Sequence, residues 1–151
     1  MEISLVVASM LNLGHVLEAL GEYQTTGKEP EVSAVVIDSR EAIPGSLFVA
    51  FPGEHYDGHD FVQDAFGRGA IAALVSRISE NNRDESECNV VDVSKGHIDW
   101  PDNLPMCILV ADTMTALQDI AAWWRSQFDV QVTGITGSVG KTSTKELTHA
   151  V

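Results

Sequence analysis

The spacing of apolar residues changes along the chain, and each spacing predicts one kind of element. Near the start, four apolar residues lie roughly on one face of a helix: Leu11, Val16, Leu17 and Leu20. Gly21 follows them, and glycine commonly ends a helix. The pattern predicts a short amphipathic helix over this region that ends at Gly21.

The middle of the chain alternates between runs typical of strands and one run typical of a helix. SAVVIDSR and IPGSLFVAFPG each contain a β-branched or apolar run closed by turn residues, and further strands are predicted over 71–75, 90–93 and 107–110. A helix is predicted over 59–68, with its inward face formed by Phe61, Val62, Ala65 and Phe66. This order predicts the α/β fold class, as a small mixed α/β domain.

A second long helix is predicted from Asp112, which can cap its first turn. Its apolar residues recur every three or four positions: Met114, Leu117, Ala121, Trp124 and Phe128. We interpret this stripe as core packing, although the pair Trp123 and Trp124 also suits a platform on which a base stacks. The composition changes near 111–113, so we place a domain boundary there, between residues 1–112 and 113–151.

The charge balance excludes several kinds of partner. Lys and Arg number 9 against 22 Asp and Glu, a net charge of −13, which repels nucleic acids and anionic lipid surfaces. A phosphate ligand would therefore need a local site. No apolar run approaches the roughly 20 residues that span a bilayer, and the N-terminus lacks the basic flank of a signal peptide. We expect a cytoplasmic protein without membrane insertion, in which Cys88 and Cys107 are free thiols.

The segment TGITGSVGKTSTKE, residues 133–146, has the order of a phosphate-binding loop: an apolar strand, a glycine turn and the start of a helix. Glycines let backbone N–H groups surround phosphate oxygens, and the helix N-terminus adds partial positive charge. Lys141 can reach the β and γ phosphates of ATP, and the Thr142 hydroxyl can bind Mg²⁺. The segment predicts a catalytic pair, Lys141 and Thr142, within an ATP site formed by Gly137, Ser138, Val139, Gly140, Lys141, Thr142 and Ser143.

This segment departs from the strict loop pattern G-x-x-x-x-G-K-[ST], because the first glycine of that pattern would fall at Ile135. Only the shorter G-x-x-G-K-[ST] remains, from Gly137 to Thr142. The alternative is a glycine-rich turn before an ordinary helix. That alternative does not explain why a Lys-Thr pair follows the second glycine directly after an apolar strand.

The shortened pattern T-G-x-x-G-K-[ST] at 136–142 resembles the Mur ligase family, ATP-dependent enzymes that build the peptide stem of bacterial cell-wall precursors. The extension GSVGKTSTKE is most similar to members that add D-alanyl-D-alanine. The upstream block DSREAIPGSLFVAFPGEHYDGHDFVQDAFGRGAIAALVSR independently resembles the family's N-terminal domain, with its D-S-R, P-G-x-L-F-x-A and D-G-H-x-F motifs.

The resemblance implies that residues 1–112 bind the UDP-linked sugar peptide, and that 113–151 form a linker helix and the truncated start of the ATP-binding domain. By position, Ser39 and Arg40 would lie near the UDP-sugar, Asp38 would hold the turn, and Asp57-Gly58-His59 would shape the adjacent loop. His55, Asp57 and His59 could instead suggest a metal site, but these closely spaced residues lack a fourth ligand.

The resemblance further implies an ATP- and Mg²⁺-dependent ligase of peptidoglycan synthesis. It would join D-alanyl-D-alanine to UDP-N-acetylmuramoyl-tripeptide through an acyl phosphate. We expect the 151 residues alone to be inactive, because the family's remaining ATPase sheet and amine-binding domain are absent from them. Two alternatives stay open: a ligase that adds the third residue to UDP-N-acetylmuramoyl-dipeptide, and a non-catalytic remnant that binds UDP-sugar.

Overall fold

A five-stranded, entirely parallel sheet forms the centre of the molecule. The computed structural model describes residues 10–79, 88–101 and 103–129. Its strands are β1 (Val35–Val36), β2 (Leu47–Val49), β3 (Ala72–Val75), β4 (Asn89–Asp92) and β5 (Met106–Leu109). Their order across the sheet is β1-β2-β3-β5-β4, so β5 lies between β3 and β4. The α/β fold class is confirmed.

Successive residues of each central strand point to opposite faces of the sheet, and both faces are covered by helices. Leu47 and Val49 pack on one face with the helices α1 (Leu13–Leu20) and α3 (Thr113–Ser126). Phe48 packs on the other face with α2 (Val62–Gly67). Because both faces are buried, these strands read as continuous apolar runs in the sequence.

Polar side chains fix the helix starts. Asn12 caps α1 by accepting the N–H of His15 at 2.8 Å, and His15 Nδ1 in turn accepts the N–H of Asn12 at 3.3 Å. Asp112 caps α3 by accepting the N–H of Thr115 at 2.7 Å. The predicted glycine end of α1 is confirmed, since Gly21 donates its N–H to the carbonyl of Leu17 at 2.9 Å.

The predicted buried face of α3 is right only in part: Leu117 packs against the core and Trp124 and Phe128 are half-buried, but Met114 and Ala121 are not buried. Its buried residues are Thr113, Ala116 and Ile120, whereas Met114 is 49% exposed and Ala121 is exposed. The inward face is therefore rotated from the predicted stripe, because α3 packs against α1 and the small side chains permit close approach. Trp123 and Trp124 are half-buried, and their ring centroids lie 5.3 and 5.8 Å from that of His15 on α1.

The helix predicted over 59–68 divides into a 3-10 turn, Gly58–Phe61, and α2. Val62 and Ala65 are buried as expected, but Phe61 is 40% exposed and Phe66 is only half-buried. The expected inward position of Phe61 is thus wrong, because the 3-10 geometry ahead of α2 turns its side chain toward a surface pocket.

The division at 112/113 stays a prediction. Within the described residues, α3 packs against α1, and Ala116 and Ile120 share a core cluster with the sheet. The strand, loop and helix expected over 130–151 lie outside the described residues. Cys88 and Cys107 are both buried with their Sγ atoms 2.7 Å apart, and no disulfide bond joins them.

Candidate functional site

A pocket of about 930 Å³ lies beyond the carboxyl ends of β1 and β2, on the α2 side of the sheet. The carboxyl ends of parallel strands are the usual ligand site of open α/β sheets, because loops leaving neighbouring strands diverge there. The pocket wall consists of Ile37, Asp38, Ser39, Arg40, Phe48, Phe51, Tyr56, Gly58, Phe61 and Asp64.

The turn after β1 presents a carboxylate bound tightly by its neighbouring arginine. Asp38 Oδ1 accepts the backbone N–H of Arg40 at 2.9 Å and thereby caps the 3-10 turn Ser39–Glu41. The guanidinium of Arg40 donates from Nε to Oδ1 at 2.9 Å and from Nη2 to Oδ2 at 2.6 Å. This side-chain bond from Arg40 lowers the pKa of Asp38 to about 2. Both groups are therefore charged near neutral pH, and Arg40 stays exposed to a ligand.

Ser39 and Asp64 connect this turn to α2. Ser39 is buried, and its hydroxyl is the main group that lowers the pKa of the Asp64 carboxyl. Arg68, one helical turn after Asp64, adds to this effect with Nε 3.2 Å from Oδ2. Each carboxylate of the pocket wall thus has its own arginine, which leaves the wall close to electrically neutral despite the acidic chain.

Aromatic rings form much of the remaining wall. Phe48 is fully buried at its base, whereas Phe51, Tyr56 and Phe61 are wholly or partly accessible. Gly58 completes the wall where the chain passes close to β2, because a Cβ there would lie 2.8 Å from the Phe51 nitrogen. Only glycine fits this approach. Flat rings beside a few charged groups suit a ligand that combines a planar ring with polar substituents.

A hydrogen-bonded network lies directly behind Gly58. His59 is 0% exposed, with Nδ1 2.6 Å from Asp57 Oδ1 and Nε2 3.0 Å from the backbone nitrogen of Ser76. Asp57 Oδ2 accepts from Nη2 of Arg77 at 2.7 Å. Burial of Asp57 raises its pKa, but the bonds from Arg77 and His59 outweigh burial and bring the pKa to about 2.

Among residues 10–79, 88–101 and 103–129, no group of three or more His, Cys, Asp or Glu side chains has the geometry of a metal site. In the same part of the chain, no helix combines the length and the apolar character needed to cross a membrane.

The structure places Ser39 and Arg40 in the pocket wall. The family resemblance implied that these two residues lie near the UDP-sugar, and that role stays a prediction. The predicted ATP-site residues Gly137, Ser138, Val139, Gly140, Lys141, Thr142 and Ser143 lie outside the described residues. The aromatic wall and Asp64 were not among the site residues predicted from the sequence. The sequence signal for the wall is the cluster of Phe51, Tyr56 and Phe61 around the D-G-H motif.

Comparison with known proteins points to one family. Residues 31–125 match the family model described as "Mur ligase family, catalytic domain". The chain is 40% identical over 131 residues to UDP-N-acetylmuramoyl-tripeptide--D-alanyl-D-alanine ligase of Escherichia coli (strain K12), an alignment that covers 87% of this chain and 24% of that relative. The chain thus spans about a quarter of the length of this relative.

Two solved structures have the same fold. The UDP-N-acetylmuramoylalanyl-D-glutamyl-2,6-diaminopimelate--D-alanyl-D-alanyl ligase from Acinetobacter baumannii aligns over 93% of this chain and 27% of its own, with a TM-score of 0.61 and 28% identity. The MurF ligase from Thermotoga maritima in complex with ADP aligns over 76% of this chain and 22% of its own, with a TM-score of 0.53 and 32% identity.

Proposed function

The chain belongs to the Mur ligase family, and from this premise we propose that it is the substrate-binding part of a ligase that joins D-alanyl-D-alanine to UDP-N-acetylmuramoyl-tripeptide. The names of similar proteins support this choice of substrates over a ligase that adds the third residue to the dipeptide precursor. Action in the cytoplasm stays a prediction from the sequence.

The observation that carries the proposal is the pocket beside Ser39 and Arg40. It lies at the carboxyl ends of β1 and β2, and it combines exposed aromatic rings with an accessible guanidinium. A uracil ring can stack on an aromatic wall, and an arginine can bind a diphosphate. Because the rest of the chain is strongly acidic, a local cation is needed to attract such an anion.

We propose that residues 137–143 supply the phosphate loop of the ATP site, with Lys141 beside the transferred phosphoryl group and Thr142 as a ligand of Mg²⁺. ATP bound there would supply the phosphoryl group that activates the carboxylate of the tripeptide. The similarity to a MurF ligase solved with ADP supports nucleotide binding at the family level.

We further propose that the 151 residues bind the UDP precursor without catalysing ligation. Phosphoryl transfer depends on positioning by several groups and on metal charge, and this chain spans about a quarter of the E. coli relative. Isothermal titration of the chain should show saturable binding of UDP-N-acetylmuramoyl-tripeptide. In an assay with ATP and Mg²⁺, adding UDP-N-acetylmuramoyl-tripeptide and D-alanyl-D-alanine together should release no more phosphate than adding either substrate alone.

Three results would contradict parts of this proposal. No binding of the UDP precursor would remove the assigned role of the pocket. Tighter binding of the dipeptide precursor than of the tripeptide precursor would favour the alternative ligase. Phosphate release that depends on D-alanyl-D-alanine would show that the 151 residues are catalytically sufficient.

A further inference from the structure

The loop between β2 and the 3-10 turn carries part of the pocket wall, but its middle is exposed. Gly58 donates its N–H to the carbonyl of Phe51 at 2.8 Å, which closes the two ends of the loop on each other. Tyr56 lies between them on the pocket wall and is 82% exposed. Without a further support, a loop with so little buried surface would adopt many conformations.

His59 provides that support from the interior. Its Nε2 atom lies 3.0 Å from the backbone nitrogen of Ser76, the residue that follows β3. A backbone N–H can only donate, so Nε2 accepts, and Nδ1 carries the ring hydrogen toward Asp57 Oδ1 at 2.6 Å. The imidazole therefore has a fixed tautomer and connects the loop to the end of β3.

A second connection runs parallel to the first. Asp57 Oδ2 accepts from Arg77, the next residue after Ser76, at 2.7 Å. Two residues on either side of Gly58 are thus bound to two adjacent positions after β3. The four residues of β3 itself do not form part of the described pocket wall. These two contacts join the Phe51–Gly58 loop to the segment that directly follows the central strand β3.

Asp57, His59 and Ser76 are the residue types of a hydrolase triad, but their geometry excludes that chemistry. In a triad, the Nε2 lone pair takes the serine proton. Here Nε2 lies 3.1 Å from the Ser76 hydroxyl oxygen, but its lone pair also accepts the backbone N–H of Ser76 at 3.0 Å, and the ring is 0% exposed, out of reach of a substrate.

We propose that His59 is a positioning residue that fixes the Phe51–Gly58 loop, and with it the Tyr56 wall, in the geometry that receives the ligand. The proposal rests on the proposed function only for the identity of that ligand. The contacts of His59 Nε2 with Ser76 carry the effect, because they join the imidazole to the residue that follows β3.

Three variants of the 151-residue chain distinguish the hydrogen bond of His59 to Asp57 from its hydrogen bond to Ser76. His59→Phe keeps a ring of similar shape but makes neither bond. His59→Gln places an amide oxygen near the position of Nε2, so it can accept the Ser76 N–H. His59→Asn can donate to Asp57 but does not reach Ser76.

The first measurement is amide hydrogen exchange without ligand. In His59→Phe and His59→Asn, the amides of Gly58 and Ser76 should exchange at least about tenfold faster than in the parent chain, while those of β4 and β5 stay unchanged. His59→Gln should restore exchange to within about threefold of the parent rate. If His59→Phe fails to fold, the comparison of His59→Gln with His59→Asn decides the same point.

The second measurement is titration with UDP-N-acetylmuramoyl-tripeptide. Its dissociation constant should rise about tenfold or more in His59→Phe and return to near the parent value in His59→Gln. The proposal is overturned by unchanged exchange at Gly58, by equal acceleration in β4 and β5, or by failure of His59→Gln to rescue either readout. If the parent chain does not bind the UDP precursor, the proposed function fails, and the exchange data alone decide the role of His59.

Discussion

The two faces of the sheet are built differently, and the difference separates stability from binding. The face covered by α1 and α3 buries large side chains of the central strands, among them Leu47, Leu74, Met106 and Ile108. The face covered by α2 carries Phe48 but otherwise smaller side chains, including Ala50, Ala73 and Cys107, under a helix of six residues. Most apolar burial therefore lies on the first face, whereas the pocket opens on the second.

The same contrast holds for two carboxylates and their hydrogen-bond donors, the buried Glu29 and the half-buried Asp57. Glu29, beside α1, accepts hydrogen bonds from Tyr23, Thr25 and Thr26 at 2.8 to 2.9 Å, all within its own segment of the chain. Asp57, beside the pocket, instead connects to Arg77 twenty residues later. The first cluster stabilises a local fold, and the second holds two distant segments in a fixed relation.

The largest expected effect tests whether the α1/α3 face supplies most of the stability. Leu74→Ala should lower the free energy of unfolding by about 2–5 kcal/mol, because Leu74 is completely buried. Urea unfolding measures this loss. Leu104→Ala is the control, at 37% exposure, and should cost about 1 kcal/mol or less. Equal losses in the two variants would remove the basis of the comparison.

Glu29→Gln should cost about 1.5–3 kcal/mol at pH 7, because an amide cannot accept all the bonds that the carboxylate accepts. Burial raises the pKa of Glu29, but the bonds from Thr26, Tyr23 and Thr25 outweigh burial and hold the pKa far below its ordinary value of 4.5. Its stabilisation is therefore present above pH 4.5 and is lost as the pH falls toward the folded-state pKa.

Urea unfolding between pH 3 and 7 tests this effect. Glu29→Gln should flatten the acid side of the stability curve, and Glu31→Gln, at an exposed neighbouring position, should not. If the Glu29→Gln variant loses stability with falling pH as steeply as the parent chain, another carboxylate is responsible, and Asp57 is the next candidate.

Gly14→Ala should destabilise the chain by about 1–3 kcal/mol, because the added Cβ would lie 2.5 Å from Thr25 Oγ1 and 2.7 Å from Glu29 Cδ. Gly67→Ala in α2 is the matched control, since a Cβ there meets nothing within 4 Å. The control should be neutral or more stable by about 1 kcal/mol at most. Thermal unfolding of both variants measures the difference in stability. If Gly14→Ala is as stable as Gly67→Ala, the close packing at Gly14 does not require glycine.

The smallest effect on stability is expected on the binding face. Arg40→Ala should leave the unfolding midpoint nearly unchanged, because the Arg40 side chain is 79% exposed. Its affinity for UDP-N-acetylmuramoyl-tripeptide should fall about tenfold through loss of a charge-assisted contact. Lys95→Ala, another exposed cation paired with an aspartate, should change neither quantity. A large loss of stability without a change in affinity would make Arg40 a structural residue.

The positions of the elements could be read from the sequence because they depend on local patterns. The strands predicted over 71–75, 90–93 and 107–110 fall within one residue of β3, β4 and β5, and the glycine end of α1 follows from one residue type. The buried face of α3 could not be read in the same way. Met114 fits the apolar stripe but is exposed, whereas Thr113 is buried, because packing against α1 decides which side faces inward.

The sequence by itself determined the α/β class and the Mur ligase resemblance, and it singled out Ser39 and Arg40 as candidate site residues, since each depends on short stretches of neighbouring residues. Only the tertiary structure decided that His59 meets Ser76, seventeen positions later, and that aromatic residues after β2 face the turn after β1. Such contacts arise from how parallel strands lie side by side, and sequence spacing does not encode that arrangement.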